Sequence, residues 1–466
     1  RNLDIRSDKS GPVFTPDGND REIFRFIGRA MGDGLLPYRD YFDHKPPFIY
    51  LVFAIFKFAG VWDIWISGTL FLALCVWLFA SMNPSKVAWA NILPVFILVT
   101  GLRNPAFYEY GGLTREYTAY LYVVFLFFYY RKNLLAQSLV LGIVLITQPN
   151  DVLPLIPFWI LSLKTIENRR VLNLTKSILL IMLPSALISI WMGIIGSFQI
   201  FIEDVFVFNF KYYTSAGSLA TMHFWKHGID GIIYYLGFGI LGPVLIIVLM
   251  VWGKNKGEAW TIILSLFLAL VNLFLSGRNY GHYYLPVVPL LAFGIMQLLN
   301  STSNPNRMRL VEFSCLLCFV GLVNANRQFS LHHQMDLVKE QAILKSSITN
   351  IIEKHKFARG QRVFVNYTPG LQFINRYKTY PSSPYIYYSL WDEIPRWDPK
   401  LIAFKSHLKS FEKSGTLVFD FTIQHPFVRK EQNQYLQTHL KEGFQEIDSI
   451  YNSKQEIVAK VYEYKD

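Results

Sequence analysis

The sequence predicts a mainly α-helical protein that crosses a membrane many times and ends in a small α/β domain. Of its 466 residues, 52% are hydrophobic and only 17% are charged, whereas a soluble domain typically carries about 25% charged residues. Apolar runs such as Ala259–Leu275 contain no charged residue and are long enough to cross a bilayer. After Asn326 the hydrophobicity falls and the charge rises, which indicates a second kind of domain.

The membrane-spanning region follows a largely polar N-terminal segment. Phe48–Phe58 is too short to cross a bilayer at about 1.5 Å per residue, so it predicts a helix at the membrane surface. We expect one further span before Arg1, which makes the ten visible spans part of a larger set. The ten are Ile64–Met82, Lys86–Leu102, Glu116–Tyr130, Leu134–Thr147, Asp151–Leu163, Ser177–Gly196, Gly231–Trp252, Ala259–Ser276, Tyr283–Leu299 and Leu310–Ala325.

The charges of the loops predict the orientation of these spans. One set of alternate loops carries 11 Lys and Arg residues, and the opposite short loops carry five. Because cytoplasmic loops are enriched in Lys and Arg, the N-terminal segment is expected outside the cytoplasm. The predicted organisation is an outer loop at 1–47, a multi-span domain at 48–327 and an extracytoplasmic domain at 328–466.

The C-terminal region has the pattern of a small α/β domain on the same outer side. His332–His355 and Gln432–Glu442 predict helices, whereas Val363–Asn366, Thr416–Phe421 and Gln455–Tyr464 predict strands.

Composition also narrows the class of partner. The net charge is +12, but the chain has no basic low-complexity tract or nucleic-acid motif. In a membrane protein such an excess is typical of cytoplasmic loops and of contacts with anionic lipid. Cys75, Cys315 and Cys318 lie in apolar runs, so they are expected to be buried hydrophobic residues and not a disulfide framework or a zinc site.

Polar residues concentrate at the outer ends of the predicted spans, where charge is costly unless it is paired or used. They fall into five groups: Asp17, Asp20 and Glu22; His44 and Lys45; Arg103–Glu116; Gln148–Asp151; and Ser276–Tyr284.

Each group taken alone has a structural explanation. Asp20 is placed to cap a helix over Arg21–Met31, and Glu116 suits a helix N-terminus. Lys45 and Arg278 could reach lipid phosphate, and the aromatic residues beside His282 could form an interfacial belt.

Taken together, the five groups place carboxylates and cations on one face at one depth. Displacing a phosphate from the anomeric carbon of a sugar requires a carboxylate to accept the proton of the acceptor. It also requires cations that stabilise the departing phosphate. A polyprenyl tail on that phosphate would explain why such a site lies at the edge of a membrane.

The same residues resemble the first outer loop of GT-C membrane glycosyltransferases, in the branch of protein mannosyltransferases and lipid A aminoarabinose transferases. The resemblance rests on Asp20 and on the run Pro37–Pro47, which contains Asp43-His44-Lys45-Pro46-Pro47. Gly111–Tyr117, Gln148–Asn150 and Gly277–Pro286 resemble the later outer-loop signatures of that family.

The resemblance implies a role for each matching residue. Asp20 would be the general base, and Glu116 would position the acceptor or a divalent metal ion. Lys45 would bind the donor phosphate. The supporting candidates for that phosphate are His44, Arg278 and His282. Further site candidates are Asp17, which is an alternative base, and Asp43 and Tyr283.

One departure from the family pattern concerns the residue after the base. Many relatives have an acidic residue there, whereas Arg21 follows Asp20 in this chain and Glu22 comes one position later. This departure weakens the case for a metal ion held by adjacent carboxylates.

The resemblance implies an inverting transferase that takes a sugar from a polyprenyl-phosphate donor to a lipid, glycan or protein acceptor. Such a protein is expected in a bacterial cytoplasmic membrane, with its active site facing outward. Two alternatives remain. One is a transporter or flippase of lipid-linked sugars, which needs no carboxylate base. The other is a polymer ligase with a pyrophosphate leaving group, which more than one pair of cations at the phosphate pocket would favour.

Overall fold

The chain divides into two compact units. One unit comprises Arg1–His44, Gln199–Tyr213 and His333–Asp466, and the other comprises Lys45–Phe198 and Thr214–His332. The computed structural model describes residues 19–82, 88–108, 111–164, 170–209, 229, 232–233, 237–251, 256–275, 281–301, 304–332, 347, 350–351, 354, 363–365, 402–412, 416–420, 422, 430–451 and 455–464.

Helices dominate both units. In chain order they are α1 (Asn19–Met31), α2 (Phe48–Ile55), α3 (Asp63–Ser81), α4 (Ala88–Leu102), α5 (Pro105–Tyr108), α6 (Thr114–Tyr130), α7 (Leu134–Leu145), α8 (Ile156–Lys164), α9 (Arg170–Ile194), α10 (Phe198–Ile202), α11 (Leu241–Val251), α12 (Lys256–Leu275), α13 (Val287–Ser301), α14 (Pro305–His332), α15 (Ile402–Lys409) and α16 (Lys430–Gly443). Short 3₁₀ helices cover Phe56–Trp62, Pro149–Leu155, Gly237–Ile240 and Gly281–Tyr284, and Glu203–Val207 forms a π-helical turn.

Five segments in the described part of the chain are long and apolar enough to cross a membrane. They are Asp63–Ser81, Val171–Ile194, Lys256–Leu273, Gly281–Ser301 and Pro305–Arg327. Large apolar side chains on these helices point outward, for example Trp65 at 61% exposure and Leu179 at 64%. Exposed apolar surface of this extent is typical of contact with lipid. The chain is therefore an integral membrane protein.

The predicted spans correspond to observed helices, with some shifted ends. Leu310–Ala325 lies within the longer α14, and Asp151–Leu163 begins as a 3₁₀ helix before α8. The predicted surface helix is also shorter than expected. It ends at Ile55, and Gly60, which has a φ of 60°, breaks the 3₁₀ segment that follows.

Helix α13 lies at the centre of the second unit. Leu290, Phe293, Ile295 and Met296 on this helix are fully buried. Apolar residues all round a helix predict such a central position. The ring of Phe293 packs edge-on against those of Tyr129 and Phe158. This packing fixes the middle of α13 among α6 and α8.

In the first unit, α1 buries an apolar face that includes Phe26 and Ile27. The prediction that Asp20 caps this helix is wrong, because the helix begins at Asn19 and Asp20 lies within its first turn. A carboxylate in the first turn still interacts favourably with the helix dipole.

The C-terminal part of the first unit contains a four-stranded sheet with the order β1-β2-β4-β3. The strands are β1 (Val363–Val365), β2 (Leu417–Asp420), β3 (Phe444–Tyr451) and β4 (Ile457–Tyr464). Strand β1 pairs with β2 in parallel, and the other pairs are antiparallel. Leu436 and Leu440 of α16 are buried, as are Phe419 and Val461 of the sheet.

The α/β character of this domain and three of its strands were predicted, whereas β3 and α15 were not. Most of the predicted helix His332–His355 lies outside the described residues. The domain boundaries at residues 47 and 327 stay a prediction.

Candidate active site

The candidate residues of the first unit begin with Asp20, which is exposed on the first turn of α1. Glu22 is instead buried between two guanidinium groups, with its Oε1 atom 3.5 Å from Arg21 and 3.6 Å from Arg25. The two carboxylates of α1 thus have different surroundings: Glu22 is buried and paired with arginines, and Asp20 is exposed. Asp17 lies outside the described residues.

A tight loop follows α1 and leads to His44. Asp40 accepts hydrogen bonds from the Leu36 N–H at 2.7 Å and from the Arg39 guanidinium. Although partial burial raises the pKa of Asp40, the hydrogen bonds from Arg39 and Leu36 lower it further than burial raises it. Tyr38 has a left-handed φ of 65°, and its ring packs edge-on against Phe201. Arg39 and Asp40 therefore shape the loop.

Asp43 and His44 form the end of this loop. Asp43 is buried and accepts a hydrogen bond of 2.6 Å from the His44 N–H, while its Oδ1 lies 3.4 Å from His44 Nδ1. The His44 carbonyl accepts a 2.7 Å hydrogen bond from the Asn209 side chain. These contacts fix the backbone of Asp43 and His44, directly before Lys45.

Asp204 is a carboxylate that the sequence analysis missed. Burial, followed by the nearby charges of Asp43 and Glu203, raises its pKa to about 8. Glu203 and Asp204 interrupt the apolar run Phe198–Phe210, and acidic residues in such a run are a signal that could have drawn attention to them.

The candidate residues of the second unit begin with Lys45, which lies next to Pro46 and Pro47 at the start of α2. The Lys45 carbonyl accepts a 3.3 Å hydrogen bond from the Tyr50 hydroxyl. Pro47 is the cap residue of α2, as the run of two prolines predicts.

Glu116 lies at the third position of α6 and is 1% exposed. Its Oε2 accepts a 2.6 Å hydrogen bond from the Gly112 N–H, and its Oε1 accepts one of 2.6 Å from the Tyr120 hydroxyl. The Arg103 guanidinium lies 3.7 Å from the same Oε1. A glutamate at this position commonly bonds back to the chain ahead of the helix. Glu116 therefore holds the Gly111-Gly112 turn.

Glycine residues leave the space that the hydrogen-bond network around Glu116 occupies. A Cβ atom on Gly68 would lie 3.0 Å from Glu116 Oε1 and 3.3 Å from Arg103 Nη2. Gly111 and Gly112 have φ values of 83° and 82°, a backbone region that favours glycine.

A second buried network joins Arg115 and Asp151. Arg115 Nη2 lies 3.5 Å from Asp151 Oδ1, and the two residues are 3% and 0% exposed. The guanidinium carbon of Arg115 also lies 4.1 Å from the centre of the Tyr283 ring. Arg115 and Asp151 lie in two of the five polar groups of the sequence, but neither was predicted as a site residue.

Tyr283 and His282 lie on the 3₁₀ turn Gly281–Tyr284. Their rings contact each other edge-on at 4.7 Å, and the Tyr284 ring stacks on Phe107 at 5.4 Å. Arg278 lies outside the described residues. Lys45, Glu116, His282 and Tyr283 thus belong to the second unit, and Asp20, Asp43 and His44 belong to the first.

Within the described residues, no group of three or more His, Cys, Asp and Glu side chains could hold a metal ion. The predicted role of a divalent metal stays a prediction.

Comparison with solved structures identifies the class of fold. The crystal structure of ArnT from Cupriavidus metallidurans bound to undecaprenyl phosphate is similar, with a TM-score of 0.59 and 12% identity over 96% of this chain and 93% of that chain. The apo structure of the same protein gives a TM-score of 0.60 and 12% identity over 95% and 92%. No protein-family model and no curated protein sequence matches the chain. The predicted GT-C-type fold, that of ArnT, is therefore confirmed over nearly the whole chain.

Proposed function

We propose that this protein is an inverting glycosyltransferase that uses a polyprenyl-phosphate-linked sugar and an extracytoplasmic acceptor. The observation that carries the proposal is the fold, shared over 96% of the chain with a protein crystallised with undecaprenyl phosphate. Lys45, three positions before the first residue of the apolar helix α2, is the residue expected to bind the phosphate of such a lipid. A cation beside apolar surface suits a charged head group with a hydrocarbon tail.

In the proposed reaction Asp20 accepts the proton of the acceptor hydroxyl or amine. The acceptor oxygen or nitrogen attacks the anomeric carbon from the face opposite the phosphate. The bond between this carbon and the phosphate oxygen then breaks, and polyprenyl phosphate leaves with the bonding electrons. One displacement inverts the anomeric configuration.

The cations carry the other half of the proposed chemistry. Lys45, with support from His44, Arg278 and His282, stabilises the negative charge that grows on the departing phosphate. Because phosphate leaves readily, the proposed reaction needs no strong general acid.

Asp20→Asn in the full-length protein tests the proposal. Wild type in nanodiscs receives a panel of polyprenyl-phosphate sugars together with lipid, glycan and protein acceptors, and the release of polyprenyl phosphate and the binding of donor are measured. We expect wild type to release polyprenyl phosphate. Asp20→Asn should release it at a rate at least about 100-fold lower, and it should still bind the donor. Asp33→Asn is the matched control, because Asp33 is an exposed carboxylate just beyond the other end of α1.

Two outcomes contradict the proposal. Full activity of Asp20→Asn excludes Asp20 as the base. If wild type binds donor but releases no polyprenyl phosphate with any acceptor, the transferase is excluded, and a flipping assay in liposomes then tests the transporter.

A further inference from the structure

The ion pair between Arg115 and Asp151 lies where the N-terminus of α6 meets the turn Gly281–Tyr284. Besides its contact with Asp151, the Arg115 guanidinium donates a hydrogen bond of 3.5 Å to the Tyr283 carbonyl and stacks on the Tyr283 ring. A planar guanidinium can make these three contacts at once, whereas a lysine ammonium cannot. Arg115 therefore joins the N-terminus of α6 to the turn that carries His282 and Tyr283.

Asp151 is held from two further directions. The Asn272 side-chain amide donates a hydrogen bond of 2.5 Å to Asp151 Oδ1, and the Tyr122 hydroxyl donates one to the Asp151 carbonyl. The other carboxylate oxygen, Oδ2, is buried and makes no hydrogen bond of good geometry among the described residues, although the Thr118 hydroxyl lies beside the carboxylate. A buried carboxylate oxygen without a hydrogen bond is costly unless a cation compensates it.

Arg115 and Asp151 are both buried, so water screens neither charge. Removal of one partner would leave the other as an uncompensated buried charge. The position of Arg115 beside the Tyr283 backbone therefore depends on the charge of Asp151.

We propose that Asp151 is a positioning residue that acts as the counter-ion of Arg115. It keeps the Arg115 guanidinium beside the Tyr283 backbone, and so it holds the turn Gly281–Tyr284 against the N-terminus of α6. Because Asp151 is fully buried, it acts through Arg115 and not on a substrate. The consequence for catalysis rests on the proposed function, whereas the consequence for the turn does not.

The first test is Asp151→Asn, which removes the charge and keeps the shape. In the full-length protein in nanodiscs, we expect kcat/KM for a polyprenyl-phosphate sugar to fall about 10- to 100-fold, as misplacement of binding groups does. The loss should include a higher KM for the donor, because the turn that carries His282 is held less well. Asp63→Asn is the matched control: Asp63 is also a fully buried carboxylate at a helix start, but it lies outside this network. We expect it to keep the wild-type kcat/KM.

A double-mutant cycle shows whether Asp151 acts through Arg115. Arg115→Gln and Asp151→Asn are combined and compared with each single variant. We expect the losses to be strongly non-additive, since the second substitution removes an interaction that is already broken. If the fold-losses of the two single variants simply multiply in the double variant, the proposed action of Asp151 through Arg115 is overturned.

Hydrogen–deuterium exchange tests the proposal without any turnover. The Leu285 N–H donates to the His282 carbonyl at 3.2 Å, so its exchange reports on the turn. Asp151→Asn should accelerate exchange at His282–Leu285 and weaken the binding of polyprenyl phosphate, while exchange in α9 stays unchanged. Wild-type exchange in the turn together with unchanged binding would overturn the proposal. If wild type transfers no sugar, the proposed function fails, but these two readouts still decide the role of Asp151.

Discussion

Asp20 and Glu22 lie two positions apart on α1 and have opposite surroundings. Two positions on a helix are about 200° apart, so one side chain faces outward when the other faces inward. Glu22 is 3% exposed and is paired with Arg21 and Arg25. The arginine that follows Asp20, a departure from the family pattern, is thus explained: Arg21 neutralises Glu22.

This pairing predicts different results for the two carboxylates. Glu22→Gln leaves Arg21, itself buried, without its counter-charge, which should cost about 1–3 kcal/mol of stability. We expect a lower unfolding temperature in detergent with nearly normal turnover per folded molecule, in contrast to Asp20→Asn. A Glu22→Gln protein that unfolds like wild type but transfers no sugar would move the base from Asp20 to Glu22.

The raised pKa of Asp204 predicts a dependence of stability on pH. Its pKa is about 8 in the folded protein, whereas an unfolded aspartate titrates near 3.9. Between these pH values the folded state keeps a proton that the unfolded state has lost, so stability falls as the pH rises from about 4 to about 8. Asp204→Asn should remove this loss, and its unfolding temperature should exceed that of wild type by an increasing amount from about pH 5 to about pH 8.

The control for Asp204 is its neighbour. Glu203→Gln changes the same kind of group on the same turn, but Glu203 is exposed. It should leave the pH dependence nearly unchanged. An equal change in both variants would mean that the general charge of this turn, and not the burial of Asp204, sets the dependence.

At the scale of residues, the sequence predicts a site residue only where a motif or the adjacent residues of the chain mark it. Lys45 and Glu116 were found because they lie in recognisable runs at the ends of apolar segments. The roles of Arg103 and Asp151 depend on contacts that only the folded structure shows: Arg103 lies beside Glu116, and Asp151 accepts a hydrogen bond from the distant Asn272.

At the scale of elements, hydrophobic runs predicted the helices well because a spanning helix must satisfy its own backbone hydrogen bonds. Their ends were predicted less well, as at Asp151, where a 3₁₀ helix precedes α8. Strand β3 was missed because its sequence, Phe444–Tyr451, lacks alternation, and the register shifts twice along its pairing with β4.

The contact between α7 and α9 gives a prediction at this scale. A Cβ on Gly142 of α7 would lie 2.4 Å from the Ile181 carbonyl of α9, and 2.8 Å from Pro184 Cδ. Gly142→Ala should push the helices apart and destabilise the protein by about 1–3 kcal/mol. Thermal unfolding in detergent measures this loss.

Gly193→Ala in α9 is the control, because a Cβ there has open space around it. It gains the same helix propensity, about 1 kcal/mol relative to glycine, without a clash. We therefore expect Gly193→Ala to be neutral or stabilising. Equal effects of the two substitutions would show that the spacing of α7 and α9 does not depend on Gly142.

At the scale of the whole molecule, the sequence predicts the fold, which the structure confirms. The orientation of the chain across the membrane stays a prediction. Composition and apolar runs indicated a polytopic protein, and the motifs indicated the GT-C fold that the comparison with ArnT confirms. The fold does not itself orient the protein in a membrane. That prediction rests on the 11 Lys and Arg residues of one set of loops against five in the other.

Labelling of single cysteines tests the sidedness. The native residues Cys75, Cys315 and Cys318 are buried, so they should give little background. Asp33→Cys follows α1 and Arg131→Cys follows α6, both at exposed positions. In intact cells a membrane-impermeant maleimide should label Asp33→Cys and not Arg131→Cys, and both should react after the membrane is opened. The reverse pattern would place the candidate base Asp20, on the same helix α1, in the cytoplasm, where an extracytoplasmic acceptor could not reach it.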